Sequence, residues 1–422
     1  MARARIADRA VPAGAVIVGA GPAGLCCAMH AAAGGRSVVV LEKNRAPLVK
    51  LALTGAGRCN ITHAGPIDEF PPRYGCRARF VRPALFDFTN GDLVRLLARR
   101  GLGTVCEEDG RVFPATHDPA DVHEALLAEC AALPLEIRCA EPALRISAEN
   151  GGFEVRTRRG KCRAGSLVIA TGGLSYPRTG STGDGYAFAR TFGHAIVETG
   201  PALAPVIVRE YRFAGCAGIS IEDARIVVRR GSKQVRRSRG DLLFTHRGLS
   251  GPGMLDLSRD VRAGDTIAVS IVPFETEKEC RGALDGDARA HGRRSIGQCL
   301  ASLGVPARLA ARILELAGID PALKTSQTGK ARRDLIASRL TRLEFTAARL
   351  GGFGEAMVTR GGVSTGEIDP RTMESRLAPG LYVVGETLDV DGDTGGYNLQ
   401  WAFSSGAAAG RAIARSSRPV TA

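Results

Sequence analysis

The hydrophobic pattern near the N-terminus predicts a strand, a helix and a second strand. An apolar run at 15–18 breaks into Gly19-x-Gly21-x-x-Gly24, and a second apolar run covers 38–41 and ends at Glu42. Short apolar runs separated by a glycine turn and a helix are typical of parallel strands in a β-α-β unit. We therefore predict that the chain begins with a nucleotide-binding fold.

The glycines and Glu42 have the spacing of a dinucleotide site. The first glycine permits the tight turn, the second lets the backbone approach a pyrophosphate, and the third lets helix and strand pack closely. The pyrophosphate lies at the helix N-terminus, where free N–H groups favour an anion. Glu42 follows after about 20 residues, where an acid hydrogen-bonds the ribose hydroxyls. FAD or NAD is therefore expected rather than bound NADP.

The rest of the pattern predicts an α/β domain that is interrupted by other structure. Helices are expected over 81–102, with Asn90 as an N-cap, and over 119–133, followed by strands near 135–139, 143–147, 153–157, 162–164 and 167–170. Residues 195–275 alternate as antiparallel strands do, and 276–340 predict short helices starting near Pro306 and Pro321.

This order predicts a nucleotide-binding domain in two halves with an inserted domain between them. The predicted segments are 14–194 (nucleotide domain, first part), 195–275 (antiparallel β strands), 276–340 (short helices), 341–357 (return to the β strands) and 358–415 (nucleotide domain, second part).

A second glycine-rich segment decides between the dinucleotides. Residues 381–410 read as a strand, a glycine-rich loop and a helix. Flavin enzymes complete the cofactor site with such a far C-terminal unit, which favours FAD. Gly395 and Gly396 open the final helix, whose N–H groups would face the flavin N1/C2=O edge and stabilise the reduced ring. The alternative is a plain glycine-rich turn.

The amino-acid composition indicates a reducing compartment and shows an excess of positive charge. The 11 cysteines include no C-x-x-C pair, which fits free thiols in the cytoplasm. The uncharged run 15–35 could suggest a membrane span, but its glycines and strand-helix pattern argue against one, and no signal peptide is expected. A net charge of +14 fits a solvated surface or an anionic partner such as NADPH or RNA.

Five segments resemble a bacterial family of mostly uncharacterised NAD(P)/FAD-dependent oxidoreductases, which includes aminoacetone oxidase and a bile-acid 3-dehydro-Δ4-reductase. The segments are RCN at 58–60, GGLSYPRTGSTGDGY at 172–186, DLLFTHRGLSGPGMLDLSR at 241–259, VTRGGVSTGEIDPRTMES at 358–375 and GGYNLQWAFSSG at 395–406. The resemblance implies an α/β protein with a discontinuous Rossmann-like FAD domain of the two-dinucleotide-binding type, an inserted antiparallel β domain and a small helical domain.

The resemblance also implies a set of FAD contacts. They are Gly19, Gly21, Pro22, Ala23, Gly24, Glu42, Lys43, Lys50, Thr54, Gly55, Gly57, Arg58, Cys59, Asn60, Ala143, Thr171, Gly172, Gly385, Glu386, Gly396, Tyr397, Asn398 and Leu399. Two positions depart from related patterns. His63 stands where members often carry Asn, and Glu386 stands where the wider flavin superfamily has an Asp for the ribityl chain, although Glu is usual within this family.

Three further side chains have both a functional and a structural interpretation. Arg58 would place charge near the ring or the pyrophosphate, or form a surface salt bridge. Cys59 would be redox-active, or packed beneath the flavin. His246, in the loop FTHRGLSGPG, is the candidate catalytic acid or base on the substrate side, or is structural. Asp389, Asp391 and Asp393 mimic a calcium loop, but Thr394 and Gln400 replace its Gly and Glu, so no metal site is expected.

These observations predict an FAD-dependent oxidoreductase that moves a hydride between flavin N5 and a small organic substrate. No second G-x-G-x-x-G follows a strand, so NAD(P)H, if it is used as electron donor, would dock only transiently. The alternatives are an amine oxidase that uses oxygen, a flavin-dependent tRNA-modifying transferase and a non-catalytic flavin protein. Nucleic acid is not favoured as a partner, because the basic run 229–239 lacks interleaved aromatics.

Overall fold

The computed structural model describes residues 11–149 and 151–416, which fall into two compact units. The first unit combines the described residues up to Pro201 with those from Ala356 onward, and the second is Ala202–Glu355. The first half of the chain contains β1 (Val11–Val18), α1 (Pro22–Ala33), β2 (Val38–Leu41), β3 (Thr62–His63), α2 (Ala78–Asp87), α3 (Asn90–Ala98), β4 (Thr104–Cys106), β5 (Arg111–Pro114), α4 (Pro119–Ala131), β6 (Leu135–Arg138), β7 (Arg145–Glu149), β8 (Gly152–Arg156), β9 (Lys161–Ile169), α5 (Asp184–Thr191) and β10 (Ile196–Ala202).

The second unit and the C-terminal part follow in the same order. The second unit contains β11 (Val206–Val208), β12 (Ser220–Arg230), β13 (Lys233–Phe244), β14 (Gly248–Ser250), α6 (Pro252–Ser258), β15 (Thr266–Ser270), α7 (Glu277–Ala290), α8 (Ile296–Ser302), α9 (Ala307–Leu316), α10 (Lys330–Thr341) and β16 (Leu343–Leu350). The C-terminal part contains β17 (Val358–Val363), β18 (Leu381–Val383) and α11 (Tyr397–Arg415).

A parallel sheet in the order β6-β2-β1-β9-β18 forms the centre of the first unit. The C-terminal half of β9 pairs with β18, and its N-terminal half pairs antiparallel with β8. Strand β18 therefore joins the sheet from more than 200 residues further along the chain. This arrangement confirms the predicted Rossmann-type domain built from two distant segments.

Helices α1 and α11 pack closely because two glycines of α11 face the backbone of α1. A Cβ added to Gly406 would lie 2.3 Å from the Ala23 carbonyl oxygen, and one added to Gly410 would lie 2.4 Å from that of Cys27. The uncharged run 15–35 is thus divided between β1 and the 12-residue α1. In the part of the chain that the structure describes, no helix is long and apolar enough to cross a membrane.

The second unit contains a closed antiparallel barrel in the order β11-β14-β13-β12-β15-β16, with β16 pairing back to β11. Ile226, Val228, Ile267 and Phe244 fill its interior and are fully buried. Together with α7–α10, the barrel shares one apolar core. The antiparallel β insertion predicted from the alternating pattern is therefore confirmed as a barrel. The domain boundaries themselves stay a prediction.

Several local predictions need correction. The predicted helix 81–102 is two helices, and Thr89 rather than Asn90 is the N-cap of the second. Thr89 has an extended backbone and forms a capping box with Asp92, whereas the Asn90 amide donates to the carbonyl oxygen of His63 at 2.9 Å. The strands expected at 162–164 and 167–170 form one strand, because Ser166 continues the pairing with β1. Pro321 lies in a turn, whereas Pro306 does cap α9.

Candidate functional site

The glycine-rich loop after β1 has three glycines with three different environments. Gly19 has a φ of +107°, and an added Cβ would lie 2.5 Å from the Ala170 carbonyl oxygen. A Cβ at Gly24 would lie 1.9 Å from the Gly19 carbonyl oxygen, so this glycine lets α1 pack against the loop. Around Gly21, by contrast, no atom of the described chain lies within 4 Å of an added Cβ. The open space at Gly21 faces a cleft.

This cleft of the first unit has a volume of about 1270 Å³, part of it open to solvent. Many of the predicted contacts line it together, although they come from distant segments. They are Gly19, Gly21, Pro22, Ala23, Glu42, Lys43, Lys50, Thr54, Ala143, Thr171, Gly172, Gly385, Glu386, Asn398 and Leu399. Gly24, Gly55, Gly57, Arg58, Cys59, Asn60, Gly396 and Tyr397 are not among the lining residues.

Other lining residues were absent from the sequence prediction. They are Val18, Leu41, Asn44, Leu48, Val49, Leu51, Pro142, Ala170, Thr179, Gly180, Ser181, Asp184, Phe188, Met357, Val358, Val384, Val390, Trp401 and Ala402. The group from Thr179 to Asp184 lies within the run quoted for the resemblance and could have been found there. Most of the others are apolar residues without a chemical signature.

Glu42 is buried and fixes the glycine loop from the end of β2. Its Oε2 accepts a hydrogen bond from the Ala20 N–H at 2.8 Å, and its Oε1 accepts one from the Asn44 N–H at 2.8 Å. Each carboxylate oxygen keeps a second lone pair. Glu42 can therefore order the loop and still accept a ribose hydroxyl in the cleft.

Lys50 and Glu386 form an ion pair that joins the two segments of the site. The Lys50 Nζ lies 2.6 Å from Glu386 Oε2 and 2.5 Å from Ser175 Oγ. Glu386 Oε1 accepts from Ser175 Oγ at 2.6 Å and from the Thr359 N–H at 2.8 Å. A lysine ammonium has three donors, so one N–H of Lys50 remains for a group in the cleft.

The loop 55–60 has its own packing role. Arg58 donates to Glu107 Oε1 at 2.6 Å and lies over the Phe113 ring, 4.3 Å from its centroid. Of the two roles expected for Arg58, this geometry corresponds to the salt bridge. Cys59 is fully buried, and burial raises the pKa of its thiol to about 11. At neutral pH Cys59 is thus a packed, protonated thiol. The Asn60 amide donates to the carbonyl oxygens of Thr62 and Val112.

His63, Gly396 and Tyr397 hold the start of α11 against β3. The His63 ring stacks on Tyr397 with centroids 4.9 Å apart, and its Nδ1 lies 3.2 Å from the Gly395 carbonyl oxygen. Burial lowers the pKa of His63, so the neutral ring is favoured. A Cβ at Gly396 would lie 2.4 Å from the Thr62 carbonyl group. These contacts give position 63 a packing role.

The N-terminus of α11 is held beside the cleft by its own side chains. Gly395 and Gly396 have φ values of +109° and +97°, and Asn398 then accepts from the Gly392 N–H at 2.8 Å. The buried Trp401 donates to the Gly385 carbonyl oxygen at 3.2 Å. Loop and helix N-terminus are therefore fixed relative to each other.

His246 lies in the second unit, on the exposed turn between β13 and β14. Its assignment as an acid or base stays a prediction.

The residues of the cleft fit a bound dinucleotide. The third N–H of Lys50 and the second lone pairs of the Glu42 carboxylate are polar groups that a ligand could satisfy. The Thr171 Oγ1, by contrast, is buried against α5, where a Cβ added to Gly185 would lie 2.2 Å from it. With Lys50, the open space at Gly21 and the remaining acceptor sites of Glu42, the cleft offers a donor, a phosphate site and a ribose site.

A family model confirms the relationship that these features indicate. The model described as the HI0933-like protein Rossmann domain matches residues 13–412. The chain belongs to this family.

Curated relatives and solved structures agree with that assignment. The chain is 32% identical over 395 residues to a ribosomal RNA dihydrouridine synthase of Escherichia coli K12, covering 93% of this chain and 95% of the relative. It is 32% identical over 408 residues to a 3-dehydro-bile acid delta(4,6)-reductase of Clostridium scindens, covering 94% and 98%.

A solved 3-ketosteroid-Δ4-(5α)-dehydrogenase of Rhodococcus jostii RHA1 has a TM-score of 0.50 and 14% identity, covering 96% of this chain and 97% of that one, which shows a shared fold. The protein is an FAD-dependent oxidoreductase. Two relatives are named for ribosomal RNA, so the prediction that nucleic acid is not a partner is not confirmed.

Proposed function

We propose that this protein is an FAD-dependent reductase of carbon–carbon double bonds that are conjugated to a carbonyl group. The observation that carries the proposal is the joint cleft, in which the glycine loop, Glu42 and the C-terminal Gly385–Glu386 segment surround one dinucleotide-sized space. The names of two relatives support the reaction class. Uridine and a 3-dehydro-Δ4 bile acid both contain a C=C bond conjugated to a carbonyl.

The chain's own residues would bind and orient the cofactor. The N–H groups at the start of α1 and the open space at Gly21 would hold the pyrophosphate, and Glu42 would accept the adenosine ribose. The third N–H of Lys50 would donate to a polar atom of the bound group. When bound, FAD supplies hydride transfer at its N5 atom.

The N-terminus of α11 would supply positive potential in the same cleft. Asn398 and Leu399 lie in the first turn of this 19-residue helix and line the cleft. A helix N-terminus carries about half a positive charge and stabilises negative charge nearby. In a conjugate reduction, negative charge develops on the carbonyl oxygen as the hydride adds, and such fixed dipoles lower that barrier.

The acceptor half of the reaction tests this proposal without assuming the electron donor. The flavin is reduced with dithionite under anaerobic conditions and then mixed with a cyclic enone or with the matching saturated ketone. Rapid reoxidation by the enone alone, with formation of the saturated ketone, is the expected result. Reoxidation only by oxygen, combined with reduction by an amine, would instead establish the oxidase alternative.

A further inference from the structure

The positive charge of the chain is concentrated in its second unit. Residues 202–355 contain 26 Lys and Arg against 17 Asp and Glu, a net +9 out of the +14 of the whole chain. This unit is 154 of 422 residues, so more than half of the net charge resides in little more than a third of the chain. Most of the excess positive charge is therefore a property of the second unit.

The hairpin β12–β13 presents a row of these cations on one side. Ile226 and Val228 point into the barrel and are fully buried, so the alternate residues Arg225, Val227 and Arg229 point outward. The register pairs Arg225 with Arg239 and Val227 with Arg237, which places those partners on the same outer side. Lys233 pairs with Arg230 and is not part of this row, but it lies exposed at the hairpin tip, next to the turn at Gly231.

We define the arginine face as the outward row Arg225, Arg229, Arg237 and Arg239 together with Lys233 at the hairpin tip. Arg239 pairs with Asp223 at 2.7 Å, and Arg225 pairs with Glu275. Within the described residues, Arg229, Lys233 and Arg237 form no ion pair with a carboxylate. The five cations thus face two carboxylates and keep an uncompensated charge of +3.

Two neighbouring arginines have a different role. Arg230 forms hydrogen bonds of 2.9 and 2.8 Å with the buried Asp265, and Arg236 pairs with Asp260 at 2.9 Å. These pairs tie the hairpin to the segment before β15. The arginine face is consequently supported by its own set of ion pairs and does not need its outward cations for folding.

We propose that the arginine face binds the phosphate backbone of structured RNA. Alternate residues on a strand are about 6.8 Å apart, so the cations are spread over several ligand charges rather than gathered on one. Residues 225–239 contain no aromatic side chain on which an unpaired base could stack, which argues against single strands only and leaves the paired backbone of a stem as the ligand. The inference rests on the proposed function, because uracil supplies the conjugated double bond and is a base of RNA.

Salt dependence of RNA binding tests the assignment with a matched control. Binding of a fluorescently labelled RNA stem-loop to the flavin-loaded full chain is measured by polarisation at several KCl concentrations. One variant combines Arg229→Gln, Lys233→Gln and Arg237→Gln. The control combines Arg289→Gln, Arg293→Gln and Arg332→Gln, which removes the same charge from exposed residues of the same unit.

The slope of log Kobs against log[KCl] is expected to fall by about 2 to 3 in the hairpin variant, because each lost phosphate contact removes roughly 0.9. The control is expected to change the slope by less than about 1. An equal loss in both variants would overturn the proposal, since binding would then follow net charge alone. Absence of RNA binding by the unchanged protein would overturn it too.

The proposed function is tested separately in the same preparations. If the enone reoxidises the reduced flavin but RNA does not bind, only the arginine face is wrong. If RNA binds through the hairpin but no conjugated acceptor reoxidises the flavin, the reaction class is wrong and the surface stands.

Discussion

Replacement of Gly21 by valine tests the cofactor site without disturbing the fold. Gly21 is the N-cap of α1 with φ −79° and ψ −180°, a conformation open to any L-residue. No described atom would contact the new Cβ within 4 Å. The protein without cofactor therefore loses only the N-cap preference of glycine over valine, about 1 kcal/mol or less.

The cost for FAD is much larger. A side chain at position 21 separates the pyrophosphate from the N–H groups of the loop and of α1. Loss of two hydrogen bonds to a charged group, at about 1.5–3 kcal/mol each, amounts to about 3–6 kcal/mol. At about 1.4 kcal/mol per tenfold, FAD affinity should fall roughly 10²- to 10⁴-fold.

Gly329→Val provides the matched control. Gly329 is the N-cap of α10, with φ −60° and ψ 166°, and an added Cβ there likewise meets no described atom within 4 Å. The assay is the flavin-to-protein ratio after purification, followed by FAD titration and thermal unfolding of the apoproteins. Gly21→Val should be colourless with a Tm close to that of the control. Full flavin content in Gly21→Val, or equal loss in both variants, would refute the site assignment.

Three further predictions follow from the contacts of the first unit. Lys50→Met should weaken FAD binding by roughly 10- to 100-fold, because a charge-assisted hydrogen bond of about 1.5–3 kcal/mol is lost. The Glu386 carboxylate also loses its cation. Lys50→Arg keeps the charge and should retain part of the affinity in the same FAD titration. Gly406→Ala should lower the free energy of unfolding in urea by about 1–3 kcal/mol, because its Cβ would clash with the Ala23 carbonyl oxygen of α1. The control Gly282→Ala, at an open position within α7, should raise it by about 0.5–1 kcal/mol. Because the pKa of His63 is lowered in the folded protein, the unfolded chain binds a proton at this ring more readily. The free energy of unfolding should therefore fall as the pH drops below about 6.5. His63→Phe should reduce this dependence of the free energy of unfolding on pH, as measured by unfolding curves between about pH 5 and 7.

The glycine loop could be predicted because its requirements are local. The close approach at Gly24 and the positive φ at Gly19 follow from the strand-turn-helix geometry that the spacing encodes. The N-cap of α3 was misplaced because Thr89 and Asn90 are both good caps. The capping box with Asp92 favours Thr89, and the tertiary contact of Asn90 with His63 is not encoded in neighbouring residues.

The residues that line the cleft could be predicted from the sequence only where they belong to a recognisable motif or carry a charged or polar group. Lys50 and Glu386 are 336 positions apart, so the resemblance indicated them as cofactor contacts but their ion pair appears only in the folded chain. Arg58 was predicted beside the flavin or in a salt bridge, and the strand pair β4–β5 brings Glu107 to it. Phe188 and Trp401 line the cleft as ordinary apolar residues, which no spacing distinguishes from the core.

The most direct test of the central claim is an anaerobic single turnover. The purified flavoprotein is titrated with NADPH and with NADH, flavin absorbance is recorded, and a conjugated enone is then added. The account predicts return of the absorbance in proportion to the enone, with the saturated product formed, whether a nicotinamide or, where neither bleaches the flavin, dithionite has supplied the electrons. Flavin that stays reduced in the presence of the enone until oxygen is admitted would contradict it.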